Sequence, residues 1–157
     1  MKYEFIEKSL DEYELHYTNK DGKEVVKPFK RTVELAHKLA SADKEARMEL
    51  FTYLTSIGKT KDDFIIKKEQ NGKVIYDETN YREFEASFLQ DIALKQAFEI
   101  YKELFEMEAV DFLLDLGINE NDVDKFGEFN NELHDILANG KVKTPSTEQK
   151  NNKQDNI

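Results

Sequence analysis

The side chains that most readily do chemistry, cysteine and histidine, are scarce in this chain of 157 residues. There is no cysteine, which excludes disulfides, thiolate nucleophiles and zinc-thiolate sites. His16, His37 and His134 are isolated, without further ligands at a spacing that would place a metal triad on one element. The sequence therefore predicts no catalytic residues, no metal ligands and no cofactor.

One stretch, from Asp122 to Gly127, matches a calcium-binding loop at its first, third and sixth positions. Phe126 occupies the fifth position, where an oxygen ligand is required, and Leu133 stands where the bidentate glutamate belongs. We therefore expect a helix with Phe126 buried rather than a metal site.

Carboxylates are abundant, but nothing in their pattern separates an acid from a base. From Asp77 to Leu137 we count 17 Asp and Glu against 4 Lys and Arg, whereas the rest of the chain is nearly neutral. Catalytic carboxylate pairs need environments that push their pKa values apart, and these residues follow the pattern of a solvated helix face. We expect a protein that is not an enzyme and whose acidic surface repels nucleic acid and anionic lipid.

The composition predicts one domain over residues 1–140. Apolar residues make up 39% of the chain, and 11 Phe and 7 Tyr supply large rings for a packed core. From Lys141 onward the residues are almost all polar, so we expect a disordered tail over residues 141–157. No apolar run approaches the roughly 20 residues needed to span a bilayer, and the N-terminus does not follow the signal-peptide pattern. We expect a cytoplasmic protein.

The first 30 residues are typical of a small β ribbon, because apolar residues alternate with charged ones before an Asp21-Gly22 turn. A second hairpin is predicted around Asn71-Gly72. About five helices are expected elsewhere, which makes the fold mainly α in an α+β chain, a helical bundle with an N-terminal β ribbon.

The helix boundaries are predicted from capping residues and apolar spacing. Thr32 caps a helix from Val33 to Ala40, Asp43 caps a second one that ends before Gly58, and Asp77 or Thr79 begins a long helix that reaches Phe105. The stretch Met107–Leu116 either continues that helix or forms the next one, and Asn119 caps a last helix that Gly140 ends.

This order of elements resembles the tail assembly chaperones of long-tailed phages that infect Gram-positive bacteria. The likeness covers residues 1 to about 140 and rests on no invariant motif. It is carried by the following segments: Lys27-Pro28-Phe29-Lys30-Arg31-Thr32, Asp62-Asp63-Phe64-Ile65-Ile66, Asn80-Tyr81-Arg82-Glu83-Phe84 and Leu113-Leu114-Asp115-Leu116-Gly117.

The resemblance implies that the protein binds the tape measure protein, keeps it soluble and helps to recruit tail tube subunits. It would act in the cytoplasm of the infected host bacterium and be absent from the mature virion. The expected partners are the tape measure protein and the tail tube protein, with a homo-oligomer as a further possibility and with neither nucleic acid nor membrane. We expect a broad apolar helix face to receive an amphipathic client helix through Phe88, Phe98, Phe105 and Phe112, or through some of them. The alternative for each ring is that it fills the protein's own core.

Three other functions stay open from the sequence. An acidic phage-encoded inhibitor could imitate the phosphate backbone of nucleic acid for a host protein. A small enzyme of unrecognised type would require a deep pocket with converging polar groups. A scaffold or connector component would remain in the virus particle.

Overall fold

The computed structural model describes residues 3–142, and the predicted tail after Val142 lies outside this range. The described chain is mainly α-helical with strands near its N-terminus, as predicted. Its elements, in chain order, are β1 (Tyr3–Ser9), β2 (Glu12–Thr18), β3 (Glu24–Lys30), α1 (Val33–Ser56), a 3₁₀ turn (Lys61–Phe64), β4 (Ile66–Gln70), β5 (Lys73–Asp77), α2 (Thr79–Phe105), α3 (Ala109–Asp115) and α4 (Val123–Asn139).

The contacts divide the chain into two compact units, where the sequence predicts one domain over residues 1–140. The sheet unit consists, within the described residues, of 3–40 and 98–142, and the hairpin unit is Ser41–Ala97. Helices α1 and α2 each contribute residues to both units.

The described chain has four helices, so the prediction of about five is wrong. The two short helices expected before Gly58 form the single helix α1. Thr32 caps it as predicted, because its Oγ1 accepts a hydrogen bond from the Leu35 backbone N–H at 3.1 Å. Ser41 and Asp43 disfavour the middle of a helix only weakly, and no Gly or Pro stands beside them to break it.

The sheet unit is built on the antiparallel sheet β1-β2-β3. Tyr13, Leu15 and Tyr17 alternate along β2 with more exposed residues and are buried, which confirms the predicted alternation. Pro28 cannot donate a ladder hydrogen bond and lies in β3, an edge strand of this sheet.

Helices α3 and α4 and parts of α1 and α2 complete the core of the sheet unit. Tyr101, Phe112 and Phe129 are fully buried, with Tyr101 5.8 Å from Phe112 and 5.7 Å from Phe129 between ring centroids. Aromatic pairs at such distances favour the edge-on geometry found here. The prediction that the aromatic residues form a packed interior is confirmed for this unit.

Two helix boundaries lie between α2 and α4 in the sheet unit: the sequence left the first one open, and its prediction of the second is wrong. The stretch after Met107 forms a separate helix, because Glu106 adopts a φ of 56° and Glu108 is extended before α3 begins. The predicted cap at Asn119 is displaced: its side chain accepts a hydrogen bond from the Asn121 N–H at 2.8 Å, and α4 begins only after Asp122. Gly140 ends α4 in the left-handed region, as predicted.

The hairpin unit contains the second half of α1, the β4-β5 hairpin and the first part of α2. Asn71 and Gly72 connect β4 to β5 with φ values of 55° and 77°. Positive φ at both positions is the signature of the tight hairpin turn predicted for Asn-Gly. Gly58, with a φ of 69°, follows the end of α1.

Candidate interaction surface

The two units differ sharply in how much apolar surface they bury. Among the described residues, 18 of the 23 buried apolar side chains belong to the sheet unit and only 5 to the hairpin unit. The hairpin unit nevertheless carries 9 of the 15 exposed large apolar side chains. These nine are Met48, Phe51, Tyr53, Ile57, Ile66, Val74, Ile75, Tyr76 and Leu94. Where such side chains lie next to one another, they are typical of a surface that binds a partner.

The charge is distributed in the opposite way. The described part of the sheet unit has 20 Asp and Glu against 10 Lys and Arg, whereas the hairpin unit has 11 against 9. The formal net charges are therefore −10 and −2. The exposed apolar side chains are therefore concentrated in the nearly neutral unit.

The most exposed aromatic ring lies on α1. Phe51 is 72% exposed and Met48, one helical turn earlier, is 60% exposed. Both line an open depression of about 440 Å³ together with Asp43, Lys44, Arg47 and Thr52, and we call these six residues the α1 face. Arg47 is held at its edge by Asp43, with 3.0 Å between Nε and Oδ2. The α1 face thus combines an apolar centre with charges of both signs at its rim.

Phe88 belongs to a half-buried aromatic cluster inside the hairpin unit. Its ring centroid lies 5.3 Å from that of Tyr53 and 6.0 Å from that of Phe84, and Phe84 stacks on Phe64 at 4.9 Å. These contacts cover part of the Phe88 ring and leave the rest accessible to solvent. Binding of a partner through Phe88 stays a prediction.

The other three predicted rings belong to the sheet unit, and two of them are buried. Phe105 and Phe112 stack on each other in the core and cannot line an open groove in this structure; for both, the core alternative is confirmed. Phe98 is half-buried beside Tyr101 and Phe126, and a role for it in partner binding stays a prediction. Of the four predicted rings, Phe105 and Phe112 are therefore buried, and Phe88 and Phe98 are partly accessible.

The polar groups beside the buried rings have structural partners. The Tyr101 hydroxyl donates to Asn130 Oδ1 at 2.7 Å, and the Tyr17 hydroxyl donates to Asp115 Oδ2 at 2.8 Å. Burial raises the pKa of both phenols well above the ordinary value, and the Asp115 carboxylate adds to the effect at Tyr17. Such phenols remain protonated donors that stabilise the core.

Arg31, which directly follows β3, also has a structural role. Arg31 donates from Nε to the Leu137 carbonyl at 3.1 Å and from Nη2 to the Ala138 carbonyl at 2.9 Å. A guanidinium at the C-terminus of a helix satisfies unpaired carbonyls and opposes the negative end of the helix dipole. Arg31 therefore ties the end of β3 to the end of α4.

In the part of the chain that the structure describes, no cluster of three or more His, Asp or Glu has the geometry of a metal site. His16 pairs with Glu14 at 2.9 Å, and this hydrogen bond lowers the pKa of that carboxyl. The calcium-like stretch is mostly helical as predicted, since α4 begins at Val123, but Phe126 is half-buried where the sequence predicts burial.

Neither Met48 nor Phe51 is among the partner-binding residues predicted from the sequence. Ala46, Leu50 and Leu54, spaced four residues apart, are the buried side of α1 in the hairpin unit. Met48 and Phe51, three residues apart, lie on a different face. A helix that packs on one side needs only one apolar stripe. The additional apolar residues at positions 48 and 51 are therefore the signal in the sequence that could have identified an exposed apolar face.

The chain matches no protein-family model, no curated protein and no solved structure. Among the described residues, no helix combines the length and the hydropathy needed to cross a membrane.

Proposed function

We propose that this protein is a tail assembly chaperone of a long-tailed phage of Gram-positive bacteria, which binds the tape measure protein, keeps it soluble and helps to recruit tail tube subunits. Two things support the proposal. The order of elements resembles that family, and the hairpin unit leaves large apolar side chains exposed. The observation that carries the proposal is the α1 face, with Met48 and Phe51 exposed at its centre.

The α1 face suits an amphipathic helix as its ligand. A tape measure protein is a very long, largely helical chain, and before assembly its apolar stripes would aggregate unless a partner covered them. Met48 is unbranched and adapts its shape to different stripes, while Phe51 supplies a large rigid ring. Lys44 and Asp43 at the rim offer partners for charges of either sign that flank such a stripe.

The acidic sheet unit has a separate part in this proposal. Its net charge of −10 keeps a complex with an apolar client in solution, because like-charged complexes repel one another. The nearly neutral hairpin unit lets clients of either charge approach. We place the protein in the cytoplasm of the infected host, from which it would not enter the mature virion.

An acidic inhibitor that imitates nucleic acid finds less support. Several carboxylates of the sheet unit are engaged within it, such as Glu108 with Lys102 at 2.8 Å and Glu103 with Lys38 at 3.4 Å. A phosphate mimic needs its carboxylates available to the basic residues of the host protein.

Coexpression with a tape measure protein tests the proposal. The wild-type chain is expected to move the tape measure protein from the pellet to the soluble fraction and to copurify with it. The double variant Met48→Glu/Phe51→Glu is expected to lose this effect, because two charges would replace the apolar centre of the α1 face. A matched control, Leu10→Glu/Val123→Glu, changes two exposed apolar residues of the sheet unit and should retain it.

The outcomes separate the function from the site. If the wild-type chain neither solubilises nor binds the tape measure protein, the chaperone function is refuted. If both double variants rescue as well as the wild type, the function stands and the α1 face is excluded as its site.

A further inference from the structure

Strand β5 has an open edge with exposed apolar side chains. It pairs only with β4 in a two-stranded sheet, so within the described residues no other strand covers its outer side. Val74, Ile75 and Tyr76 form the middle of the strand and are all exposed, Tyr76 to 63%. An open edge of this kind is a template for pairing with another strand.

The turn geometry determines which backbone groups point outward. In a hairpin with a two-residue turn, the flanking pair, here Gln70 and Lys73, is hydrogen-bonded, and hydrogen-bonded pairs then alternate along the ladder. Ile75 and Asp77 therefore direct their N–H and C=O groups to β4. The N–H and C=O groups of Val74 and Tyr76 point to the open edge. None of these four groups forms a hydrogen bond with the backbone of the described loops and turns.

We propose that the partner of this edge is a second copy of the chain: two β5 strands pair antiparallel, with Ile75 on the two-fold axis, and form a four-stranded sheet β4-β5-β5-β4. In this register Val74 lies opposite the partner's Tyr76, and Tyr76 opposite the partner's Val74. All four outward N–H groups and all four outward C=O groups then serve in four hydrogen bonds across the axis. The inference goes beyond the proposed function and does not depend on the identity of any client.

The charges of β5 favour its own copy. The strand has the sequence Lys73-Val74-Ile75-Tyr76-Asp77, so antiparallel pairing about Ile75 places Lys73 opposite the partner's Asp77 at both ends. These are non-hydrogen-bonded pairs, in which the side chains approach most closely. Asp77 already binds Lys68 at 2.9 Å and Thr79 N–H at 2.9 Å, and a carboxylate has lone pairs for a further donor.

The other edge of the hairpin is unsuited to the same contact. Strand β4 has Lys67 and Lys68 at two of its five positions, and antiparallel pairing about its centre would place Lys68 opposite its own copy. Lysine on an edge strand is a common device against such pairing. The small net charge of the hairpin unit, −2, also lets two copies approach through it, whereas two sheet units would repel each other.

Single-cysteine crosslinking tests the register, because the chain has no cysteine of its own. The variant Ile75→Cys places two thiols across a non-hydrogen-bonded pair, within the range that a disulfide spans. The control Val74→Cys places the two thiols two register steps apart, beyond that range. Under mild oxidation we expect Ile75→Cys to form covalent dimer at least about tenfold faster than Val74→Cys.

Sedimentation of the full chain over a wide concentration range tests the association itself. We expect a reversible dimer, and we expect Lys73→Glu to raise its dissociation constant by about tenfold, since two attractive pairs become repulsive. The control Lys67→Glu makes the same charge change on β4 and should leave the dissociation constant within about twofold.

A chain that stays monomeric at every concentration would overturn the proposal. So would a dimer that Lys73→Glu does not weaken, or equal crosslinking at positions 74 and 75.

Discussion

Phe105 and Phe112 stack face to face in the core of the sheet unit, with 4.5 Å between ring centroids and planes 16° apart. Phe105 is the last residue of α2, and Phe112 lies in α3, so the pair holds the two helices together across the bend at Glu106. Both rings are buried, and each has further aromatic neighbours: Phe29 beside Phe105 and Tyr101 beside Phe112.

This packing predicts that Phe112→Ala strongly destabilises the protein. The variant leaves a cavity among rings that cannot collapse to fill it, and we expect its free energy of unfolding to fall by about 3 to 5 kcal/mol. Phe51→Ala removes the same ring from an exposed position and should change that free energy by less than about 0.5 kcal/mol. Urea denaturation of both variants measures the difference, and equal losses would contradict the assignment of Phe112 to the core.

Replacement by alanine is expected to change the stability of the protein in opposite directions at two glycines of α4. Gly127 lies inside the helix with open space around it, so Gly127→Ala should stabilise the protein by about 0.5 to 1 kcal/mol. Gly140 ends the helix with a φ of 67°, so Gly140→Ala should destabilise it by about 1 kcal/mol. Thermal unfolding measures both, and a shift of the same sign for both would show that the conformation at one of them is different.

Asp77 is expected to make stability depend on pH in the acid range. The hydrogen bonds from Thr79 and Lys68 hold the pKa of this carboxyl well below its ordinary value of 3.8. Its contribution is therefore complete above about pH 4 and is lost as the pH falls through the lower folded-state pKa.

Two substitutions at Asp77 separate its charge from the hydrogen bond that it accepts from the Thr79 N–H. Asp77→Asn keeps an acceptor for the Thr79 N–H and loses the charge, so its melting temperature should lie below the wild-type value at neutral pH and approach it in strong acid. Asp77→Ala loses both the charge and the acceptor, so its melting temperature should lie below that of Asp77→Asn. If the melting temperatures of the wild type and Asp77→Asn differ by the same amount at all pH values, the ion pair of Asp77 does not contribute to stability.

His134 is expected to weaken the fold at mildly acidic pH. Burial lowers the pKa of its imidazole below the ordinary value of 6.5, and the nearby Asp135 opposes this effect in part. The unfolded chain then takes up the proton first, so the free energy of unfolding should fall as the pH drops from 6.5 toward the folded-state pKa. His134→Gln should flatten this part of the stability profile, and an unchanged slope would assign the dependence to another group.

Local signals predicted much of the secondary structure. The Asn71-Gly72 hairpin, the cap at Thr32 and the end of α4 at Gly140 all follow from backbone preferences of a few neighbouring residues, and the structure confirms them. The helix count was wrong because Ser41 and Asp43 look like a boundary in sequence, while their local preference costs little inside a long helix.

The sequence by itself determined the acidic charge, the absence of cysteine chemistry and most of the strands and helices, because these depend on composition and on residues close together in the chain. Only the tertiary structure decided which apolar rings are exposed. Phe51 and Phe112 are the same residue type and both lie on helices, yet one is open to solvent and the other is fully buried. The difference arises from partners distant in sequence: Phe112 packs against rings of β2, α2 and α4, and helical periodicity does not show which side of α1 is covered.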